Sequence, residues 1–151
     1  MKSKILLFIA FTFLYACKEK SEQAADNEQT IQGTWRLVSG KIVDKNSGKT
    51  SNYPMDFQMI KIINRTHFAF LKHSLNLKDS TGFDAGGGSY SFDDGKYTEH
   101  LEYYSNKNWE GKTFDFKLSL INDTLIQTGV EKVEKEGIER RIIEKYIKEI
   151  K

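Results

Sequence analysis

The stretch Thr113-Phe114-Asp115-Phe116-Lys117-Leu118-Ser119-Leu120-Ile121 has the clearest two-residue period in the chain. Apolar side chains occupy every second position, and the residues between them are polar or charged. Successive side chains of a β-strand point to opposite faces of a sheet, so this alternation predicts a strand with one buried and one solvated face. The side chains expected on the buried face are Phe114, Phe116, Leu118 and Leu120.

Seven further runs of aromatic and β-branched residues surround this stretch, separated by polar turns. The eight runs cover residues 33–43, 57–63, 67–73, 89–92, 96–104, 113–121, 124–130 and 138–146. Asp93-Asp94-Gly95 is a strong hairpin signal, and Gly86-Gly87-Gly88 predicts a bend or bulge before the fourth run. Consecutive antiparallel strands joined by short turns predict an all-β, eight-stranded antiparallel up-and-down barrel, because closure removes both open sheet edges.

The last run also fits an amphipathic helix. The apolar side of that helix would carry Ile138, Ile142, Ile143, Tyr146, Ile147 and Ile150, with pairs of glutamate and lysine outside it. Isoleucine prefers strands, however, and a seven-stranded meander would leave two open edges. We therefore favour a strand over residues 138–146.

Residues 1–16 have the layout of an export signal. Lys2 and Lys4 precede an apolar run over residues 5–15, which is too short for a membrane-spanning helix of about 20 residues. The run ends in Leu14-Tyr15-Ala16-Cys17, which resembles the lipobox of bacterial lipoproteins. The resemblance implies that Cys17 becomes the N-terminus, receives a diacylglyceryl group and is often acylated further, so that several acyl chains anchor the protein to a membrane.

The alternative is an ordinary secreted protein in which Cys17 is a spare thiol. Cys17 is the sole cysteine and cannot form an internal disulfide, so lipidation explains its position better. Residues 17–30 are polar and lack apolar periodicity, which predicts a lipidated N-terminus followed by a flexible tether. We expect the protein to lie in the bacterial cell envelope, most simply at the outer membrane, on its periplasmic face or at the cell surface.

Residues 31–151 form the predicted barrel domain. About 135 residues remain after the export segment, which is enough for one domain with its own core. The net charge is +2, the export segment contributes two of the lysines, and the remaining charges are mixed in sign along the chain. The sequence therefore offers no basic footprint for nucleic acid. We expect a monomer.

Gly33-Thr34-Trp35 opens the first run and matches the glycine-x-tryptophan signature of lipocalins. Over residues 33–146 the chain resembles the bacterial lipocalin-like lipoproteins. The resemblance implies that Trp35, next to Gly33, closes one end of the barrel beneath a basic side chain from the last strand. The candidates for that basic side chain are Arg141 and Lys145, which share a strand face, and the contact would be a structural cation–π pair.

A ligand site in such a fold lies at the barrel mouth and in the upper interior. On the fifth run, the face that carries tyrosines and Leu101 is expected to point inward, which places Glu99 inside the barrel. A buried carboxylate must be paired, hydrogen-bonded or protonated. The predicted ligand-binding patch comprises His67, Tyr90, Tyr97, Glu99 and Tyr103. The alternative is a solvated Glu99 among ordinary strand tyrosines.

We predict a non-enzymatic protein that binds a small hydrophobic or amphipathic molecule, without a metal or another cofactor. His67, His73 and His100 lack the spacing of metal ligands, and no serine or cysteine lies in a recognisable nucleophile turn. One alternative is a filled barrel that acts as a protein-interaction module. Another is an isomerase or hydrolase that uses Glu99 and tyrosines. A cavity of about 300 Å³ or more with apolar walls would favour ligand binding.

Overall fold

The structure, a computed structural model, describes residues 30–76, 78–79 and 81–149. The predicted export segment, the lipidation site Cys17 and the tether up to residue 29 lie outside the described residues. The described elements are β1 (Gly33–Asp44), β2 (Thr50–Asn52), β3 (Phe57–Ile63), β4 (His67–Ser74), β5 (Phe83–Asp93), β6 (Lys96–Tyr104), β7 (Thr113–Ile121), β8 (Thr124–Val133), a 3-10 turn (Glu134–Glu136) and β9 (Ile138–Lys148). None of the described residues belongs to a helix long and apolar enough to cross a membrane.

The eight long strands form a closed antiparallel barrel. Strand β1 pairs with β3, each later strand pairs with the next, and β9 pairs back onto β1. That last pairing runs from Trp35 opposite Lys148 to Asp44 opposite Arg140, so the first and last strands leave no open edge between them. The predicted all-β, eight-stranded up-and-down barrel is confirmed. The final run is a strand, which removes the helical alternative.

Strand β1 changes partners along one edge. It pairs with β3 up to Arg36 opposite Ile60, and from Lys41 the same edge pairs with the short strand β2. Tyr53 occupies the gap between the two pairings: its backbone N–H donates to the Gly40 carbonyl oxygen at 2.8 Å. The ring lies where a side chain at Gly40 would be, because a Cβ there would meet it at 2.1 Å. We call this gap the Tyr53 seam.

Two irregularities change which residues face the interior. The register of β1 against β9 shifts between Leu37 and Ser39. The register of β6 against β5 shifts so that Leu101 and Tyr103 oppose neighbouring glycines and Glu102 is the extra residue. An extra residue reverses the inward–outward alternation beyond it. The predicted bulge at the glycine run is thus present, but the glycines lie inside β5, which begins earlier than residue 89.

The end of the barrel where β1 begins is packed with side chains, and we call it the closed end. The predicted inner face of β7 is buried at Phe114, Phe116 and Leu118. The buried apolar side chains at the closed end include Ile31, Trp35, Leu37, Ile63, Phe68, Tyr97 and Leu125. The open end, where β1 ends and β9 begins, is not filled in this way.

Trp35 lies at the closed end and is fully buried. Its Nε1–H donates to the Ile31 carbonyl oxygen at 2.7 Å, and Lys148 Nζ lies 5.4 Å from the ring centroid. The basic side chain over Trp35 is therefore Lys148 and not Arg141 or Lys145, which are exposed. The reason is parity, because the even-numbered side chains of β9 point inward.

Gly33 supports this closed end through its backbone. Its φ of 144° lies in a region that side chains with a Cβ rarely adopt. A Cβ there would also lie 3.0 Å from Lys148 Cε, so the glycine leaves room for the lysine stem that crosses the indole.

Candidate functional site

The open end of the barrel contains a cavity of about 320 Å³. Its size lies at the lower end of the range for small-molecule sites, about 300 to 1,000 Å³. Apolar and aromatic side chains form most of its wall, namely Ile42, Pro54, Phe57, Met59, Phe70, Leu101, Tyr104, Trp109, Phe114, Phe116 and Ile142. The volume and this wall meet the condition that favours a bound molecule over a filled barrel.

The floor of the cavity contains a buried lysine. Lys61 Nζ donates hydrogen bonds to Glu99 Oε1 and Gln127 Oε1, both at 2.7 Å. The three residues are 4%, 7% and 1% exposed, respectively. The ammonium also lies 5.7 to 5.8 Å from the ring centroids of Phe68, Tyr97 and Tyr146. Hydrogen bonds and ring faces together replace the water that a buried ammonium loses.

The burial of Glu99 changes the pKa of its carboxyl group. Desolvation raises its pKa above the usual value of 4.5, while the Lys61 ammonium acts in the opposite direction. Burial also raises the pKa of the neighbouring Tyr97, and the charge of Glu99 adds to that effect. The Tyr97 hydroxyl has no hydrogen-bond partner among the described residues.

Glu144 is a second buried carboxylate in the cavity wall, 7% exposed. The Tyr53 hydroxyl donates to its Oε1 at 2.9 Å, and the Tyr146 hydroxyl donates to its Oε2 at 2.7 Å. No ion pair in the described part of the chain includes Glu144. Its partners there are neutral donors, one on each oxygen.

A further ion pair lies nearer the mouth. Arg140 Nε donates to Glu131 Oε2 at 2.7 Å, and the guanidinium carbon lies 5.4 Å from the ring centroid of Trp109. The indole N–H of Trp109 donates to Glu136 Oε2 at 2.8 Å, which fixes the ring at the rim. Burial raises the pKa of Glu131, and the charge of Arg140 opposes that shift.

The opposite side of the mouth also carries charged groups. Lys72 Nζ lies 4.5 Å from the ring centroid of Phe57. The Tyr104 hydroxyl donates to Asp84 Oδ2 at 3.1 Å. Burial, with a smaller effect of Asp84, raises the pKa of Tyr104 to about 12, so this phenol stays protonated at neutral pH.

The structure does not bring the five residues of the predicted ligand-binding patch together. Glu99 lines the cavity, and Tyr97 is buried below it. Tyr90 belongs to the packed closed end, where its ring centroid lies 5.2 Å from that of Tyr97 and its hydroxyl donates to the Asn64 carbonyl oxygen.

His67 and Tyr103 are exposed on the outer surface, and their predicted inward position is wrong. His67 precedes the inward-facing Phe68, so strand alternation directs it outward. Tyr103 follows the extra residue Glu102, which reverses the alternation of β6; Tyr104 lines the cavity in its place.

Sequence reasoning missed most of the polar groups in the cavity, namely Tyr53, Lys61, Gln127, Glu131, Arg140 and Glu144. One signal was present for Lys61, which is the single charged residue in Met59-Ile60-Lys61-Ile62-Ile63. A charge inside such an apolar run indicates either an exposed strand or a buried ion pair. For Tyr53 no signal existed, because the segment before it is a polar loop in the sequence.

His67, His73 and His100 are all exposed. Within residues 30–149, excepting positions 77 and 80, no group of three or more His, Cys, Asp or Glu side chains is arranged to hold a metal ion. The polar groups of the cavity can instead act as hydrogen-bonding and ionic partners for an organic molecule.

No protein-family model matches the chain, and no curated protein matches it. Among solved structures, the chain is similar to a lipocalin-like protein from Bacteroides uniformis ATCC 8492. The two share 19% sequence identity, the match covers 78% of this chain and 97% of that chain, and the TM-score is 0.48. The strand pairings by themselves establish the closed eight-stranded up-and-down barrel.

Proposed function

We propose that the barrel binds a small hydrophobic or amphipathic molecule in its open end. The observation that carries this proposal is the cavity of about 320 Å³, with apolar walls above a floor of buried, hydrogen-bonded charges. The walls supply affinity by removing ligand surface from water, at about 25 cal/mol per Å². A few fixed polar groups then orient the molecule.

This arrangement supports a binding protein over an enzyme. Lys61 donates a hydrogen bond to Glu99, and Gln127 accepts a second hydrogen bond from the lysine. A general acid or base needs a proton-transfer position within reach of a substrate. Two groups that satisfy each other at 2.7 Å stabilise the floor of the cavity instead.

We also propose that the protein is a monomer anchored through lipidated Cys17 to the outer membrane of a bacterial envelope. The support is the lipobox resemblance and the polar tether that follows it. The described chain enters at the closed end, where Ile31 lies against Trp35. This point of entry lies at the opposite end of the barrel from the mouth. Exchange of Cys17 for serine should move the full chain from the membrane fraction to the soluble fraction of its host.

Native mass spectrometry of the full chain from its own host tests the binding proposal. We expect a non-covalent mass that is released on collisional activation, unlike acyl chains attached to Cys17. Met59→Trp fills the cavity, so this variant should no longer carry the non-covalent mass. Ile62→Trp is the matched control, because Ile62 lies on the same strand but faces outward. A chain that carries no such mass and binds no added amphiphile contradicts the proposal.

A further inference from the structure

The cavity wall contains one more acidic than basic side chain. The acids are Asp84, Glu99, Glu131 and Glu144, and the bases are Lys61, Lys72 and Arg140. Lys61 pairs with Glu99 and Arg140 pairs with Glu131, each at 2.7 Å. Lys72 and Asp84 lie opposite each other on β4 and β5, at the mouth. Asp84 and Glu144 belong to no ion pair of the described residues, and Glu144 is the buried one of the two.

The surroundings of Glu144 are those of a charge that lacks its counterion. It is 7% exposed, so water screens it poorly, and a buried carboxylate is costly unless a cation compensates it. Each of its oxygens receives one tyrosine hydroxyl. A carboxylate offers about four acceptor positions, so both oxygens can accept further hydrogen bonds.

Two of the three cations in the cavity wall already have ionic partners. Two of the Lys61 N–H groups donate to Glu99 and Gln127, and Arg140 donates to Glu131 while its guanidinium lies over Trp109. Lys72, at the mouth, has Asp84 opposite it on the neighbouring strand, so each of the three cations has an acidic neighbour, which disfavours a negatively charged ligand. A fatty carboxylate would place a further negative charge beside Glu144.

We propose that Glu144 is the binding subsite for a protonated amine, so that the ligand is an amphiphile with a cationic head. The amine donates to the Glu144 oxygens in the barrel interior, and the apolar part lies along the wall of Phe57, Phe70 and Phe114. This inference rests on the proposed function, because it assigns the chemistry of the molecule held in the same cavity.

The test compares three probes of equal chain length by titration calorimetry with the full chain at neutral pH. The probes are octylamine, octanol and octanoate. We expect octylamine to bind at least about tenfold more tightly than octanol, and octanoate to bind weakest. High salt should preserve this order, because salt screens a buried pair much less than a surface charge.

Glu144→Gln keeps the shape of the side chain and removes its charge. It should abolish the advantage of octylamine over octanol, so that the two probes bind about equally. Glu102→Gln, on the outer surface, is the matched control and should change nothing. Tyr146→Phe retains the carboxylate and removes one neutral donor, so the preference for octylamine should persist or grow.

A purely structural role of Glu144 would instead lower the affinity for all three probes together. Equal binding of octylamine and octanol by the unmodified chain overturns the inference, as does a preference that survives Glu144→Gln; either result leaves the proposed function intact. Failure of all three probes to bind overturns both. The order of the three affinities measured with the unmodified chain tests the inference even where a variant does not fold.

Discussion

The ammonium of Lys61 and the carboxylate of Glu99 lie 2.7 Å apart in the floor of the cavity, and both residues are more than nine-tenths buried. Taking two charges out of water is costly, and their attraction offsets that cost only while both partners are present. The pair is therefore expected to respond very differently to the loss of one partner and to the loss of both.

Lys61→Met should lower the free energy of unfolding by about 3 to 5 kcal/mol, because it leaves the Glu99 carboxylate buried without its cation. Urea denaturation measures the loss. The double variant Lys61→Met with Glu99→Leu should recover much of it. Lys117→Met, on the exposed face of β7, should stay within about 0.5 kcal/mol of the parent. Additive losses in the double variant would contradict this account of the pair.

The stability of the protein should decline as the pH rises above about 4.5. Burial raises the pKa of Glu99 and of Glu131 above that ordinary value. The folded protein then holds these protons more tightly than the unfolded chain does. The stabilisation that these two protonated carboxyl groups contribute is present at low pH. It is lost as the pH rises through their raised pKa values. Denaturation at a series of pH values measures this slope.

Glu99→Gln is permanently neutral and should flatten that decline. Glu136→Gln is the contrasting variant, because hydrogen bonds from Trp109 and Asn106 lower the pKa of Glu136. The stabilisation that Glu136 contributes is present above its ordinary pKa and is lost as the pH falls. Glu136→Gln should therefore change stability only on the acidic side of the pH profile. The same slope above pH 4.5 in Glu99→Gln and in the parent would count against the assignment.

The fold was predictable because every strand of the barrel carries a local signal. Alternation in β7 and the Asp94-Gly95 turn, whose φ values are 43° and 77°, identify a hairpin meander from neighbouring residues alone. The site was harder to predict. Nothing in the sequence identifies Glu102 as the extra residue of a bulge. This extra residue nevertheless places Tyr103 outside the barrel and Tyr104 inside it.

The sequence also did not reveal which side chains contact each other across the barrel interior. The sequence predicted Arg141 or Lys145 where the structure places Lys148, because the prediction depended on which face of β9 points inward and both faces carry isoleucine. The Lys61–Glu99 pair joins strands that are not neighbours in the sheet, so no cross-strand rule relates them. Such contacts across the interior are set by the curvature of the closed barrel.

Lys148→Met should lower the free energy of unfolding by about 1 kcal/mol, the size of a partly exposed contact between a cation and an indole. Lys145→Met removes the same charge from the outer face of the same strand and should have almost no effect. Guanidinium denaturation of the two variants compares them directly. Equal losses would show that Lys148 does not stabilise the closed end through Trp35.

Gly88→Ala should be strongly destabilising, by roughly 3 kcal/mol or more, because an added Cβ meets backbone atoms of the adjacent strand. It would lie 1.9 Å from the His100 carbonyl oxygen and 2.8 Å from the Glu102 nitrogen. Gly48→Ala serves as the control: nothing lies within 4 Å, and only its φ of 70° is unfavourable. Its expected cost is about 1 kcal/mol. Thermal unfolding of both variants gives the comparison.

At the Tyr53 seam, the spacing between β1 and β3 in the barrel wall is set by a side chain and not by a strand ladder. Strands β1 and β3 are joined over four residue pairs, and beyond them the wall between these two strands is completed by a residue on a loop. A smaller or larger residue at position 53 should therefore change the size of the cavity while the strand ladders of the barrel stay intact. Substitution at this one position is therefore a route by which the size of the cavity can change during evolution without a change in the strand pairings.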